Sequence, residues 1–326
     1  MNPIRPTIPL DGQGKSHGFL RLPYSRNDSA WGSVMIPITV IANGAGPTAL
    51  LTGGNHGDEY EGPIALQQLA WEIEPAKVTG RVIIVPYMNY PAFCAGTRVS
   101  PVDQGNLNRS FPGRADGTVT QKIANYFNDV LVPLADVVLD FHSGGRTLDF
   151  LPYAAAHYLD DKSQQARCVA AMQAFAAPYS MMMLEIDAVG MFDTAVESQG
   201  KTFVTTELGG GGTATARSAR IAIHGAQNLL RHAGILSGDV ECGQTVMLDM
   251  PGDDCFHFAM QAGLLHPLVD LGDHVRKGQT IAQIWPTDRS GVAPAVVTAN
   301  MDGILAARHF PGLVQMGDCL AVIAVT

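Results

Sequence analysis

The first two thirds of the chain alternate between short apolar runs and longer stretches with helical periodicity. The apolar runs are continuous rather than alternating, which is typical of strands that are covered on both faces. We predict strands at 48–52, 81–86, 137–141 and 203–207, and helices at 63–73, 120–131, 163–176 and 219–232. This order predicts an α/β domain in which a mixed sheet carries helices on both faces.

The pattern changes after Gly238 to short β-like runs without helical periodicity. Residues 263–284 and 303–323 carry two copies of one arrangement, in which a Gly and two apolar residues precede a longer apolar run. Two such copies predict a small β-sandwich with internal two-fold symmetry. We therefore place a catalytic domain at 1–237 and an all-β domain at 238–326.

Composition fits an enzyme with a large buried core. The chain has 326 residues, of which 46% are hydrophobic and 16% charged. The net charge of −9, with no basic cluster longer than Arg276-Lys277, argues against a nucleic-acid partner. The chain contains no run of 18 consecutive apolar residues, so we predict no membrane span. Residues 1–18 lack the apolar segment of a signal peptide. The five cysteines contain no Cys-x-x-Cys pair, so we predict a cytoplasmic protein without a thiolate metal site.

Candidate metal ligands lie at the ends of predicted strands. The run Gly53–Glu59 places His56 and Glu59 on a strand-to-helix connection, and His142 follows a second strand. Sites in open α/β sheets gather at the carboxyl ends of the strands. A catalytic zinc keeps three protein ligands and leaves its fourth position to water. The sequence therefore predicts a metal-dependent hydrolase with one Zn²⁺ per chain, although such a ligand set also accepts other divalent ions.

Two further carboxylates have candidate roles beside these ligands. Glu207 closes a predicted strand before four glycines, where it could act as general base and acid by moving a proton from water to the leaving nitrogen. Asp140 precedes His142 by two residues, so both side chains point to the same side of their strand. We predict that Asp140 orients the histidine by a hydrogen bond.

The long connection from Tyr87 to Thr118 is a candidate substrate-binding loop. It is rich in Pro, Gly, Asn and Arg, and it contains Arg98, Asn108 and Arg109. Loops of this length in a compact domain are usually functional or disordered. Because the chain is acidic overall, an anionic substrate must be bound locally by particular arginines, which suits the bidentate guanidinium of Arg109.

The joint pattern resembles the succinylglutamate desuccinylase/aspartoacylase family of zinc carboxypeptidase-like hydrolases, over about residues 35–235. It is carried by His56-x-x-Glu59, Asn108-Arg109 within Asn-Leu-Asn-Arg-Ser-Phe-Pro, His142, and Glu207 within Thr-Glu-Leu-Gly. The resemblance implies zinc ligands at His56, Glu59 and His142 and a catalytic glutamate at Glu207. It also implies that Asn108 and Arg109 hold the carboxylate of the substrate. Arg98 lies in the region where the family carries an arginine that polarises the scissile carbonyl.

The resemblance also implies a substrate class, a small-molecule N-acyl amino acid. Four segments are similar to the branch that deacetylates N-α-acetyl-L-2,4-diaminobutyrate in ectoine degradation, namely 19–25, 53–62, 181–190 and 205–216. The side-chain ammonium of that substrate needs an acidic or carbonyl partner. Glu185 and Asp187 are the acidic candidates, with ordinary surface charges as the alternative.

Other functions stay open at this point. The chain could deacylate another N-acyl amino acid, such as N-acetylaspartate or N-succinylglutamate. A zinc carboxypeptidase acting on peptides would use the same metal ligands. A non-catalytic metal- or ligand-binding protein is a third alternative, but it would have no need of Glu207.

The predicted C-terminal domain resembles the biotinyl/lipoyl carrier fold in its hairpins and in Asp302-Gly303-Ile304. A carrier needs a lysine at the turn between the two copies, and residues 285–301 contain none. We therefore do not expect carrier function. The domain is expected to shape the mouth of the active site or to mediate contacts in a homo-oligomer.

Overall fold

A computed structural model describes residues 2–241 and 243–326. Its strands, in chain order, are β1 (Arg5–Pro6), β2 (Gly14–Pro23), β3 (Ser33–Asn43), β4 (Thr48–Thr52), β5 (Gly80–Val85), β6 (Val137–His142), β7 (Leu148–Phe150), β8 (Tyr153–Ala156), β9 (Tyr179–Met182), β10 (Thr202–Glu207), β11 (Val246–Asp249), β12 (Phe256–Phe258), β13 (Gly263–Pro267), β14 (His274–Val275), β15 (Thr280–Trp285), β16 (Ala295–Thr298), β17 (Gly303–His309), β18 (Leu313–Val314) and β19 (Cys319–Ala324). The helices are α1 (Glu61–Glu72), α2 (Tyr90–Ala95), α3 (Val119–Tyr126), α4 (Val132–Leu134), α5 (Lys162–Phe175), α6 (Phe192–Glu197) and α7 (Ala216–His232).

A ten-stranded mixed sheet forms the body of the molecule, in the order β1-β2-β3-β5-β4-β6-β10-β8-β9-β11. Its central strands β5, β4, β6 and β10 run parallel to one another. β3 joins β5 in the antiparallel sense, and β8 joins β10 likewise. The carboxyl ends of the parallel strands therefore meet at one edge of the sheet.

Both faces of this sheet are covered, as the continuous apolar runs predict. Successive residues of a strand point to opposite faces, and Leu50 and Leu51 accordingly belong to two different hydrophobic clusters. The cluster containing Leu51 includes residues of α1, α5 and α7, and the cluster containing Leu50 includes residues of α3 and α6. The predicted mixed α/β class, with helices on both faces, is confirmed.

The four predicted strands and four predicted helices all occur, with ends that differ by one to three residues in most cases. The predicted helix at 120–131 is shorter and irregular, because α3 ends at Tyr126 and a π-turn covers Phe127–Leu131. Pro133 follows within α4, and proline cannot donate to the preceding turn. Among the described residues, no helix is both long and apolar enough to cross a membrane.

The C-terminal residues form two further sheets. One has the order β12-β19-β17-β14, with β7 also paired to β17, and the other has the order β16-β15-β13-β18. The two sequence copies pair reciprocally, because β14 of the first copy joins β17 and β18 of the second joins β13. The predicted domain boundary after residue 237 stays a prediction. β11 lies beyond that boundary and pairs with β9 of the large sheet.

Candidate active site

Strand register brings two of the predicted functional residues side by side. In the parallel pairing of β10 with β6, Glu207 is the direct neighbour of His142. On the other side of β6, Asp140 is the neighbour of Thr52, the last residue of β4. The three strand ends therefore build one edge at which the chain can concentrate polar side chains.

The turn between β4 and α1 carries the other two candidate ligands over this edge. Its path depends on close backbone contacts, since a Cβ added to Gly57 would lie 2.1 Å from the carbonyl carbon of Ala92. A Cβ added to Gly62 would lie 2.2 Å from Cβ of Phe141, so this glycine lets α1 pack directly on β6. His56 and Glu59 are both buried as a result.

His56, Glu59 and His142 form a compact cluster. Nδ1 of His56 lies 2.7 Å from Oε1 of Glu59, and Nδ1 of His142 lies 3.0 Å from Oε2 of the same carboxylate. Tetrahedral zinc with bonds of about 2.0–2.1 Å separates its ligand atoms by about 3.4 Å, so small shifts would bring all three onto one ion. Nε2 of His56 lies 3.3 Å from Oδ1 of Asn106, and Nε2 of His142 lies 2.9 Å from Oδ2 of Asp140. In both histidines Nδ1 therefore faces the carboxylate of Glu59, and the three residues together fit a metal ion.

The electrostatics of the cluster favour a cation. Burial raises the pKa of Glu59, but attraction to the two histidines outweighs burial and holds that pKa well below its usual range. Burial lowers the pKa of His56, which favours the neutral imidazole that binds metals. Burial also tends to lower the pKa of His142, but Glu59 and Asp140 raise it well above its usual value. The carboxylates thus attract a positive charge to this position.

Asp140 orients His142, in the geometry that the sequence predicts. Its Oδ2 accepts from Nε2 of His142 at 2.9 Å and from Asn55 at 3.0 Å, and its Oδ1 accepts from Thr52 at 2.7 Å. Asp140→Asn is expected to weaken metal binding by about 10–100-fold, because the histidine loses a negatively charged acceptor. Titration of the chelator-stripped protein with Zn²⁺ measures this change. The exposed Asp129→Asn variant should bind as wild type, and unchanged affinity in Asp140→Asn would contradict the assigned role.

Glu207 stands beside the cluster without a partner of its own. Its Oε2 is buried, and no described residue donates a hydrogen bond to it. Burial raises the pKa of Glu207 well above its usual value, and the negative charge of Glu59 adds to that effect. A carboxyl group held in this way is a stronger base than a solvated one, as proton transfer from water requires.

All seven predicted site residues line a single cavity of 340 Å³, namely His56, Glu59, Arg98, Asn108, Arg109, His142 and Glu207. Nη1 of Arg98 lies 3.4 Å from Nδ1 of His56 and 3.7 Å from Oε1 of Glu59. The geometry therefore brings Arg98 to the cluster despite its position in the long connection. The chemical roles of these seven residues stay predictions.

The long connection forms part of the cavity wall, as predicted. It contains α2 and a short 3₁₀ turn at Leu107–Arg109. Oδ1 of Asn108 accepts from the backbone N–H of Phe192 at 2.9 Å, which orients the side-chain amide. Its NH₂ group makes no hydrogen bond to a described residue and remains a donor for a ligand. Arg109 lines the same cavity, and its Nη1 donates to the backbone oxygen of Asn108 at 2.6 Å.

The two acidic candidates for binding an ammonium group, Glu185 and Asp187, lie in different surroundings. Glu185 lines the cavity, whereas Asp187 is exposed and accepts a hydrogen bond from Val189 instead. The sequence did not point to Asp193, a buried carboxylate of α6 that also lines the cavity, or to His157 behind it. The one local signal for Asp193 is that it is an acidic residue in the first turn of a short helix.

The comparisons with known proteins agree with this geometry. The model of the succinylglutamate desuccinylase/aspartoacylase catalytic domain matches residues 45–233. The N-alpha-acetyl-L-2,4-diaminobutyric acid deacetylase of Halomonas elongata is 57% identical over 325 residues, covering 99% of this chain and 95% of the relative. The product-bound structure of the ectoine utilization protein EutE (DoeB) from Ruegeria pomeroyi is 62% identical, with a TM-score of 0.99 over 100% of this chain and 99% of that one.

A third similar structure is a succinylglutamate desuccinylase from Silicibacter sp. TM1040, which is 63% identical with a TM-score of 0.97, over 100% of this chain and 99% of that one. These similarities extend over the C-terminal sheets as well as the matched catalytic region. The chain therefore belongs to the succinylglutamate desuccinylase/aspartoacylase family.

Proposed function

We propose that this chain is a zinc-dependent amidohydrolase that removes the acetyl group from N-α-acetyl-L-2,4-diaminobutyrate in ectoine degradation. The observation that carries the proposal is the Glu207 carboxyl beside His142, at the rim of the cluster that fits a metal. Its Oε2 has no hydrogen-bond partner among the described residues. A structural metal site needs no such base. The substrate is supported by the 57% identity to a deacetylase named for this compound.

One Zn²⁺ held by His56, Glu59 and His142 would act as a Lewis acid toward the acetyl carbonyl and would lower the pKa of water at the site. The other residues of the chain then have distinct tasks. Arg109 and the amide of Asn108 bind the carboxylate of the substrate and fix its position. Arg98 places a positive charge where negative charge develops on the carbonyl oxygen.

Glu207 carries the proton in this scheme. It takes a proton from the attacking water and returns it to the leaving α-nitrogen as the C–N bond breaks. The second proton of the water passes from the acetic acid product to the amine, so acetate and L-2,4-diaminobutyrate with an α-ammonium leave, and atoms and charge balance without a further reactant. Glu207 ends each cycle as the carboxylate with which it began.

The volume of the cavity is that of a small-molecule site. Its 340 Å³ lies near the lower limit of small-molecule sites, which span about 300–1,000 Å³. Leu148 and Phe150 of β7 form one wall, and β7 is hydrogen-bonded to β17 of the C-terminal sheets.

We also propose that the C-terminal sheets form a β-sandwich of the biotinyl/lipoyl type without carrier function. Three observations support this proposal. Ile281, Leu305 and Ile323, from strands of both sheets, share one hydrophobic cluster. Gly263 and Gly303 hold equivalent positions, since an added Cβ would lie 2.4 Å from a backbone oxygen in each case. The segment 285–301 contains no lysine.

Hydrolysis of N-α-acetyl-L-2,4-diaminobutyrate, measured as release of the free α-amino group, tests the proposed function. N-acetylaspartate, N-succinylglutamate and a short peptide with a free C-terminus are the competing substrates. We expect selective turnover of the first compound, abolished by chelation and restored by Zn²⁺, and a zinc content that approaches one per chain. Preferred hydrolysis of the peptide, or zinc-loaded protein that hydrolyses none of the compounds, would contradict the proposal.

A further inference from the structure

A second polar cluster lies at one side of the cavity, away from the metal ligands. His157 follows β8, Glu185 lies in the connection after β9, and Asp193 and Glu197 belong to α6. Nε2 of His157 is 3.9 Å from Oε1 of Glu185 and 4.0 Å from Oδ2 of Asp193. None of these distances is a hydrogen bond, so three polar atoms surround a gap.

The imidazole of His157 is held so that one nitrogen faces this gap. Its Nδ1 lies 2.9 Å from Oε1 of Glu197, and its ring lies parallel to that of Phe203. The residue is more than nine-tenths buried, and its Nε2 has no hydrogen-bond partner among the described residues. With Nδ1–H donating to Glu197, Nε2 faces the carboxylates of Glu185 and Asp193.

The spacing of the two carboxylates suits an alkylammonium group. One oxygen of Glu185 and one of Asp193 lie within 4.8 Å of each other. An –NH₃⁺ group that donates charge-assisted hydrogen bonds of about 2.8 Å places its acceptors about 4.6 Å apart.

The charges of the cluster also call for a cation. The carboxylates of Glu197, Asp193 and Glu185 overcome the effect of burial and raise the pKa of His157 to about 9. Burial and the adjacent Asp193 raise the pKa of Glu185, while the positive charges of His157 and Arg109 lower it. Arg109 is therefore near enough to influence this cluster. The cavity therefore contains a positive charge, that of Arg109, which suits a carboxylate. It also contains an acidic gap beside Glu185 and Asp193, which suits a cation.

We propose that Glu185 and Asp193 form a subsite that binds the side-chain ammonium of the substrate. This inference rests on the proposed function and names the residues that select its substrate. Glu185 and Asp193 supply two charged acceptors, and His157, which Glu197 holds in place, positions them. Arg109, the two carboxylates and the three metal-ligand candidates line one cavity, so a short zwitterionic ligand bound there meets all of them.

Paired substrates test the subsite. N-acetyl-L-norvaline has a methyl group in place of the ammonium of N-α-acetyl-L-2,4-diaminobutyrate and otherwise the same skeleton. We expect Glu185→Gln and Asp193→Asn each to lower kcat/KM for the diamine by about 10–100-fold, the cost of one hydrogen bond to a charged group. Turnover of the norvaline compound should stay near its wild-type value, which shows that the variant is folded and its metal site intact.

Product binding provides a second measurement, in case either variant folds poorly or norvaline turnover is slow. The Kd of L-2,4-diaminobutyrate should rise in the Glu185→Gln protein, and the Kd of L-norvaline should not. Asp187→Asn is the matched control, because it removes the same charge from the same segment outside the cluster. It should keep the wild-type preference for the diamine.

The outcomes separate the subsite from the function. If wild-type protein prefers the diamine and both variants keep that preference, the subsite is wrong and the proposed function stands. If wild-type protein shows no preference for the diamine, the proposed substrate and the subsite both fail. A second zinc ion per chain that disappears in Asp193→Asn would replace the ammonium subsite with a metal site.

Discussion

Replacing Glu207 with glutamine is expected to lower kcat by about 10²–10⁴-fold, the range that a positioned general base contributes. Glutamine has the same shape but cannot accept a proton from water at neutral pH. The side chain is not one of the three clustered ligands, so zinc content should remain that of wild type. KM should change little, because the substrate contacts in our mechanism come from other residues.

Parallel assays of zinc content, kcat and KM on purified Glu207→Gln measure this effect. Glu72→Gln is the matched control, since Glu72 is an exposed residue of α1 whose only hydrogen-bond partner among the described residues is Gln68. Wild-type turnover in Glu207→Gln would remove the residue from the mechanism. Loss of zinc together with turnover would instead identify Glu207 as a ligand, which the present geometry does not indicate.

The parts of the site that the sequence predicts are those that regular strands fix. A strand alternates its side chains with a period of two, so Asp140 and His142 must point the same way. Parallel neighbours end at the same edge of a sheet, so the strand pattern alone predicts that Glu207 lies near His142. The register confirms both placements. His56 and Glu59 follow from the same rule, because their turn begins where β4 ends.

The parts that the sequence does not predict depend on contacts between distant segments. β2 lies toward one side of the sheet and is only partly covered, so its hydrophobic pattern is weaker than that of β4, and Pro37 interrupts the apolar run of β3. His157 and Asp193 are 36 positions apart, and the packing of α6 on β10, the sheet neighbour of β8, brings them together. Nothing in either local sequence specifies that approach.

Glu185 and Asp187 show the same limit on a smaller scale. They are two residues apart and chemically alike, and residues 183–191 form neither helix nor strand. Periodicity therefore gives no rule for which side chain points inward. The backbone path directs Glu185 to the cavity and leaves Asp187 in solvent.

Removing the charge of Glu59 should abolish metal binding. Its carboxylate lies between His56 and His142 and gives one oxygen to each imidazole, so it supplies the only negative charge among the three ligands. Glu59→Gln keeps the size of the side chain but leaves a neutral amide, a far weaker ligand for Zn²⁺. We expect a loss of affinity beyond the 10–100-fold or so predicted for Asp140→Asn, and a loss of turnover with it.

Glu61→Gln is the matched control for this variant. Glu61 is also buried and lies two residues further along, but its Oε1 accepts from Ser218 at 3.2 Å and it does not line the cavity. Burial raises the pKa of Glu61 to about 7, so its neutral form is already well populated near neutrality and the amide should be tolerated. Metal analysis and a zinc add-back assay distinguish the two: Zn²⁺ should restore turnover to chelated wild type and to Glu61→Gln, but not to Glu59→Gln. Full zinc occupancy in Glu59→Gln would mean that other residues hold the metal.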